Sequence, residues 1–174
     1  MNSMPLFSII IPTYQRNDLL AKCLHCLAPD IQTLPFEQYE VIVTDDGFQT
    51  TAQQMIREFY PWAKWVAGSR KGPAANRNNG AKYACGEWLV FTDDDCLPDS
   101  HWLEAYAQAK ITQQSYLVFE GELMSIAQDK ALQKPHLLTR QVVIYGHVIL
   151  PYKSNSLSCS LVLTNDFPTL QWKM

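Results

Sequence analysis

Apolar residues occur in short runs and in spaced repeats along the 174-residue chain. Residues 7–11, Phe-Ser-Ile-Ile-Ile, are closed by Pro12 and predict a buried strand. From residue 17 to about 27, leucines recur at helical spacing, and Asn17 or Asp18 stands where a cap belongs. Residues 40–44, Glu-Val-Ile-Val-Thr, predict a second buried strand ending in Asp45-Asp46-Gly47. A helix is expected over 51–59 and a short third strand over 64–67. Gly72-Pro73 opens a helix to about residue 84, with Pro in the first turn, where its missing N–H matters little. Residues 87–92 predict a fourth strand ending in Asp93-Asp94-Asp95. Pro98, Asp99 and Ser100 then start a helix to about residue 110, and residues 116–119 predict a fifth strand. This alternation implies an α/β fold, a mostly parallel sheet with helices on both faces. After Gly121 the pattern is less regular. The β-branched content of 141–150 favours a strand, the serine-rich stretch 152–160 reads as loop, and 161–163 as a last short strand.

Composition narrows the function classes. Apolar residues make up 47% and charged residues 18%, which is ordinary for a globular chain and argues against disorder. The net charge of −3 and the lack of a basic tract make nucleic acid a poor partner. No apolar run approaches the roughly 20 residues of a membrane span, and residues 7–11 have no cationic lead of a secretion signal. The expectation is a soluble, cytoplasmic protein. Its five cysteines, an odd number, do not suggest a closed disulfide framework. Cys23 and Cys26 form a C-x-x-C without a second pair, so they read as core-side residues of a helix together with Leu19, Leu20, Leu24 and Leu27. His25, His101, His136 and His147 have no organising neighbours in the sequence.

In open α/β sheets, ligands bind beyond the carboxyl ends of the strands. Three strand ends carry unusual residues: Pro12-Thr13-Tyr14-Gln15-Arg16, Asp45-Asp46-Gly47 and Asp93-Asp94-Asp95. They converge if strands one, two and four are neighbours. Three adjacent carboxylates repel one another unless a cation neutralises them. In extended backbone Asp93 and Asp95 point together and Asp94 points away. Two hard oxygen donors suit Mg2+ or Mn2+ on a pyrophosphate; the plain alternative is a solvated acidic turn capping the next helix. Asp-Gly is a common turn, yet a carboxylate there can also accept a nucleobase N–H. In Lys71-Gly-Pro-Ala-Ala-Asn-Arg-Asn-Asn-Gly80, the small residues permit close approach to the sheet. Gly80 inside a helix costs on the order of 1 kcal/mol against Ala, which asks for a contact that justifies it. Arg77 can reach a phosphate or ribose hydroxyl, or stand as an ordinary surface arginine.

Together these segments resemble the family 2 glycosyltransferases of the GT-A fold. The matching stretches are 7–16, 39–47, 72–80 and 86–98, in register across roughly residues 5–125. The resemblance implies a Rossmann-like GT-A sheet and inverting transfer of a sugar from a UDP-, GDP- or dTDP-sugar, with Mn2+ or Mg2+. It implies a glycan or lipid-linked acceptor, a role in polysaccharide biosynthesis, and at most a peripheral association with membranes. By the same resemblance, Pro12, Thr13, Tyr14 and Arg16 line the nucleotide site. Asp46 faces the base, Asp45 supports it, and Arg77 lies near the base or ribose. Asp93 and Asp95 are the D-x-D carboxylates for the metal. Asp93 lies closer to the ribose, and Asp94 stands between them in the nucleotide site.

Two departures stand out. The second motif of the family usually continues Gly-Ser, whereas this chain has Gly47-Phe48. The family also places its general base in an acidic motif later in the domain. Residues 158–165 are similar to the strand before that motif, but neither the glycine-rich turn nor the acidic motif follows. Glu120, Glu122, Asp129 and Asp166 are the later carboxylates, none in a matching context, so the general base is unassigned. The expectation is one glycosyltransferase-like domain over 1–174. Residues 5–125 form its nucleotide-sugar-binding half, and 126–174 an incomplete, C-terminally truncated acceptor half. The alternative is a nucleotide-sugar-binding module or inactive fragment. A sugar nucleotidyltransferase would want a glycine-rich loop after the first strand, which is absent here.

Overall fold

The computed structural model describes residues 4–49, 51–112, 118–121 and 142–145. In chain order the elements are β1 (Phe7–Thr13), α1 (Asn17–Cys26), a 3-10 turn (Phe36–Gln38), β2 (Tyr39–Asp45), α2 (Gln53–Phe59) and β3 (Lys64–Ala67). They continue with α3 (Pro73–Ala81), β4 (Trp88–Phe91), α4 (Trp102–Thr112), β5 (Val118–Gly121) and β6 (Val142–Tyr145). The six strands form one sheet in the order β3-β2-β1-β4-β6-β5. The first four are parallel, while β6 runs antiparallel to both β4 and β5. The strand expected over 141–150 is present at 142–145, and the fifth strand sits two residues later than the pattern placed it. The loop expected over 152–160 and the strand expected over 161–163 lie outside the described residues.

Strand β1 is central, and all seven of its residues are buried. That explains its unbroken apolar run, because a parallel strand covered on both faces has no solvent side. Phe7, Ile9 and Ile11 join Leu20, Cys23, Leu24 and Leu27 of the α1 region, Ile56 of α2 and Leu103 of α4 in one core. Ile10 faces the other way and packs with Ile42, Val66, Leu89 and Phe91, beside Ala81 at the end of α3. Gly80 is the close approach that its helical position asked for: a Cβ there would lie 2.6 Å from Cγ2 of Ile10 and 3.0 Å from Cγ2 of Thr44. The small residues of α3 thus let that helix lie directly on β1 and β2.

Two helix starts differ from the sequence pattern. Neither Asn17 nor Asp18 caps α1; Arg16 occupies the cap position, and the Asn17 amide donates to the Thr51 carbonyl at 3.2 Å. Tertiary contact thus draws that side chain away from its own helix end. Helix α4 begins at Trp102 rather than at 98, after a turn in which Asp99 Oδ1 accepts the His101 N–H at 2.9 Å. Among the described residues, no helix is long and apolar enough to cross a membrane.

Candidate functional site

The chain runs outward from β1 through β2 to β3, then α3 carries it back to β4 on the far side of β1. Such a reversal opens a crevice at the carboxyl ends of the strands, where α/β sheets bind ligands. A pocket of about 570 Å3 lies there. Of the residues picked from the sequence, Pro12, Thr13, Tyr14, Arg16, Asp46, Arg77 and Asp93 line it. Phe48, Arg70, Gly72, Pro73 and Asn76 line it as well, and sequence patterns had not singled them out for the site. Gly72, Pro73 and Asn76 fall inside the matching stretch 72–80 and Phe48 is a departure from the motif, so of these only Arg70 had no signal.

The β1–β2 edge is held by the Asp46 N–H donating to the Thr13 carbonyl at 3.0 Å. Asp45 is buried and faces away from the pocket. Its Oδ1 accepts the Gly47 N–H at 2.8 Å, and its Oδ2 accepts the Ala52 N–H at 2.7 Å and the Trp65 indole N–H at 3.1 Å. One carboxylate therefore ties both ends of the loop after β2. Asp46 is 8% exposed and accepts the Arg70 N–H on Oδ1 at 2.7 Å. Arg70 reaches this position with φ of 56°, a left-handed conformation uncommon for a side chain with a Cβ. Gln15, with φ of 52°, makes the comparable turn after β1. Gly72, with φ of 90°, leads into α3. All three conformations fall in the loops that shape the pocket, where backbone strain of about 1–3 kcal/mol per non-glycine residue is often concentrated.

On α3, Asn76 is buried. Its amide donates to the Thr44 carbonyl at 2.8 Å and its carbonyl accepts the Thr44 hydroxyl at 2.6 Å. Arg77, one residue on, turns to the acidic turn and pairs with Asp93 Oδ1. The expected alternation of the three aspartates does not hold. Strand β4 stops at Phe91, and the Cys96 N–H donates to the Asp93 carbonyl at 3.2 Å, closing a turn. Asp94 consequently points inward rather than away: it is 0% exposed and does not line the pocket. It accepts the Thr13 hydroxyl at 2.7 Å and the Arg16 Nε–H at 3.2 Å on Oδ2, and pairs with Arg16 Nη2 on Oδ1. The resemblance places Asp94 in the nucleotide site; in the structure it holds Thr13 and Arg16, two residues that line the pocket. Asp95 is 3.4 Å from Arg16 Nη1 and also lies off the pocket wall.

Burial pushes the Asp94 carboxyl above its ordinary value. The Thr13 hydroxyl and the Arg16 guanidinium oppose that rise, and neighbouring Asp95 adds to it. Removing one partner of a buried ion pair costs roughly 3–5 kcal/mol. Arg16 is 44% exposed, so water entering its place reduces the expected loss for Arg16→Ala to about 2 kcal/mol, measured by urea unfolding at neutral pH. A raised acid pKa means that the folded state favours the protonated form. The deficit therefore shrinks as pH falls through the folded pKa toward the ordinary 3.8. A loss under about 0.5 kcal/mol would refute the stranded-charge account.

Of the C-x-x-C pair, Cys23 takes the core side as the helical pattern suggested, whereas Cys26 is only partly buried and lies outside the core. Cys23 is buried and its Sγ lies 3.7 Å from the Asp93 carbonyl. Burial, then the neighbouring Cys96, Cys26, Asp94 and Asp95, push its thiol well above the ordinary value. A thiol held protonated is a poor nucleophile and metal ligand.

The donor chemistry of the acidic turn suits a divalent metal, although of its carboxylates only that of Asp93 lines the pocket. Asp93 and Asp95 offer hard carboxylate oxygens, and a guanidinium already stands against each of them as a positive charge. Among the described residues, no three His, Cys, Asp or Glu side chains form a metal-holding group. Two carboxylates completed by phosphate oxygens and water suit Mg2+ or Mn2+.

The crevice, the strand order and the helix-covered sheet define a Rossmann-like α/β protein of the GT-A type. The sequence profile of Glycosyl transferase family 2 matches residues 8–155, and the chain belongs to that family. Glycosyltransferase AglE of Haloferax volcanii is 35% identical over 107 residues, covering 59% of this chain and 34% of AglE. This chain thus matches about a third of that relative's length. Among solved structures, S. aureus TarS 1-349 in complex with UDP-GlcNAc is similar at 27% identity and a TM-score of 0.56, over 64% of this chain and 32% of that one. The mannosyltransferase PcManGT of Pyrobaculum calidifontis, in complex with GDP-Man and Mn2+, is similar at 27% identity and a TM-score of 0.57, over 67% and 35%.

Proposed function

We propose that the pocket at the ends of β1, β2 and β4 binds the nucleoside diphosphate of a sugar donor. The whole protein then transfers that sugar to a glycan or lipid-linked acceptor in the cytoplasm. The observation that carries this reading is the convergence of Tyr14, Asp46, Arg77 and Asp93 on one pocket from four separate segments. Their chemistry matches the parts of a nucleotide. Asp46 Oδ2 makes no hydrogen bond among the described residues and can accept a base N–H. Tyr14 is half exposed and offers a ring face to the base. Arg77, on leaving Asp93, brings a guanidinium to the ribose or phosphates. Asp93 and Asp95 would hold Mn2+ or Mg2+. When bound, the cation supplies Lewis-acid stabilisation of the departing diphosphate. Thr13 and Arg16 keep their positions through Asp94, so the pocket is built before the donor arrives. Glu122, Asp129 and Asp166, three of the candidates for a general base, lie outside the described residues, as does the Glu120 side chain. The two ligands seen in the similar structures, UDP-GlcNAc and GDP-Man, support a nucleotide sugar without choosing its base.

Calorimetric titration with UDP, GDP and dTDP, with Mn2+ and then with EDTA, tests the reading. At least one nucleotide is expected to bind, and to bind at least tenfold more tightly with the metal. No metal-dependent binding of any of the three would overturn it. Donor hydrolysis in the same samples separates a catalytic protein from a binding module.

A further inference from the structure

We infer that Phe48 is a second base-stacking wall, which closes on the face of the nucleobase opposite Tyr14. The inference rests on the nucleotide reading of the pocket and adds a specificity residue to it. Both rings line the pocket. Their centroids are 6.3 Å apart, with their planes inclined by 42°. They stand at the ends of neighbouring strands, since Thr13 of β1 pairs with Asp45 of β2. Asp46, whose carboxylate faces the pocket, is two residues before Phe48. A base that hydrogen-bonds Asp46 is therefore within reach of both rings, which line the same pocket.

The spacing suits an inserted ring. Three stacked aromatic layers span roughly 7 Å, twice the optimal carbon–carbon separation of about 3.5 Å. To admit a base, Tyr14 and Phe48 have to part from their 6.3 Å centroid distance and rotate from 42° toward parallel. The Phe48 loop starts from a fixed point, because Asp45 accepts the N–H groups of Gly47 and Ala52. The ring is thus presented with part of its ordering complete before the ligand binds, which favours affinity.

Phe48 has no place in the hydrophobic core. It is 58% exposed. Tyr14 is 50% exposed. Two large half-exposed rings lining one pocket gain by covering a flat apolar surface. Serine, the usual residue of the resembled motif, has no ring to offer there.

The test is calorimetric titration of wild type, Phe48→Ala, Phe48→Leu and Phe48→Tyr with UDP, GDP and dTDP in Mn2+. Stacking on one aromatic residue changes nucleic-acid base affinity by about 5- to 150-fold on alanine substitution. For the tightest nucleotide, Phe48→Ala is expected to weaken binding by about tenfold, and Phe48→Tyr to stay within about twofold of wild type. Phe48→Leu keeps apolar bulk without a ring and is expected to fall near Phe48→Ala. Alanine within twofold of wild type would overturn the inference. Leucine equal to phenylalanine, or tyrosine as weak as alanine, would also overturn it. If none of the three nucleotides binds the wild type, the nucleotide reading itself fails and this inference falls with it.

Discussion

Asp93→Ala is expected to abolish the metal-dependent part of nucleotide binding while leaving the fold intact. Asp93 lines the pocket, and its carboxylate is held by Arg77. It is one of the two carboxylates proposed to hold the divalent cation. Loss of a residue that merely orients a metal ligand lowers metal affinity by roughly 10- to 100-fold. Loss of a ligand should do at least as much. Released Arg77 would remain available to phosphate, so some metal-independent nucleotide binding should persist. The effect on stability should be small. Both partners are 28% exposed, and such partly solvated pairs contribute about 1 kcal/mol or less. The measurement compares UDP, GDP and dTDP affinities in Mn2+ and in EDTA, together with the thermal midpoint. A variant that keeps the full Mn2+ increment would remove Asp93 from the metal site. A variant that loses the increment together with several kilocalories of stability would instead point to a structural role.

Gly68→Ala is expected to damage stability and the site together. The new Cβ would overlap Asp46 Oδ1 and lie 2.6 Å from Asn76 Oδ1 and 2.7 Å from the Asp45 carbonyl carbon. One of these neighbours is backbone, and the other two are side chains held by hydrogen bonds. Asp46 accepts the Arg70 N–H, and Asn76 is doubly bonded to Thr44. None can yield without breaking a buried contact. The Gly68 N–H, moreover, donates to the Asp45 carbonyl at 2.7 Å, so the glycine cannot easily move away. Overpacking of well-packed interiors costs about 1–3 kcal/mol, and backbone contact places this case at about 3 kcal/mol. Nucleotide affinity should fall further than stability alone explains, because Asp46 is displaced from the pocket. Urea unfolding and calorimetric titration measure the two effects. A stable Gly68→Ala protein with unchanged affinity would show that the loop after β3 shifts freely.

Much of the sheet was readable in the residues. Strands β1, β2 and β4 are buried on both faces, so their apolar runs announce them without help from their neighbours. The family motifs contain ten of the pocket-lining residues, seven of them singled out for the site, because those residues sit at strand ends or at and on α3. Arg70 had no such signal, and the role of Asn76 within its motif was not readable. Arg70 lies in a loop whose left-handed turn no local pattern marks, and Asn76 is a polar residue buried only because Thr44 satisfies it. The antiparallel edge formed by β5 and β6 was equally unreadable, since strand direction depends on which neighbour a strand finds.

The sequence alone determined the element order, the parallel character of the first four strands and the family. These follow from the local alternation of apolar and polar residues and from motifs at fixed spacing. Tertiary structure decided the orientation of the acidic turn. Asp94 takes Thr13 and Arg16 as partners, 81 and 78 residues away, and is drawn inward while Asp93 remains at the pocket. A carboxylate turns toward the cation and donor that strand order brings near it, and strand order is a long-range property that no local window contains.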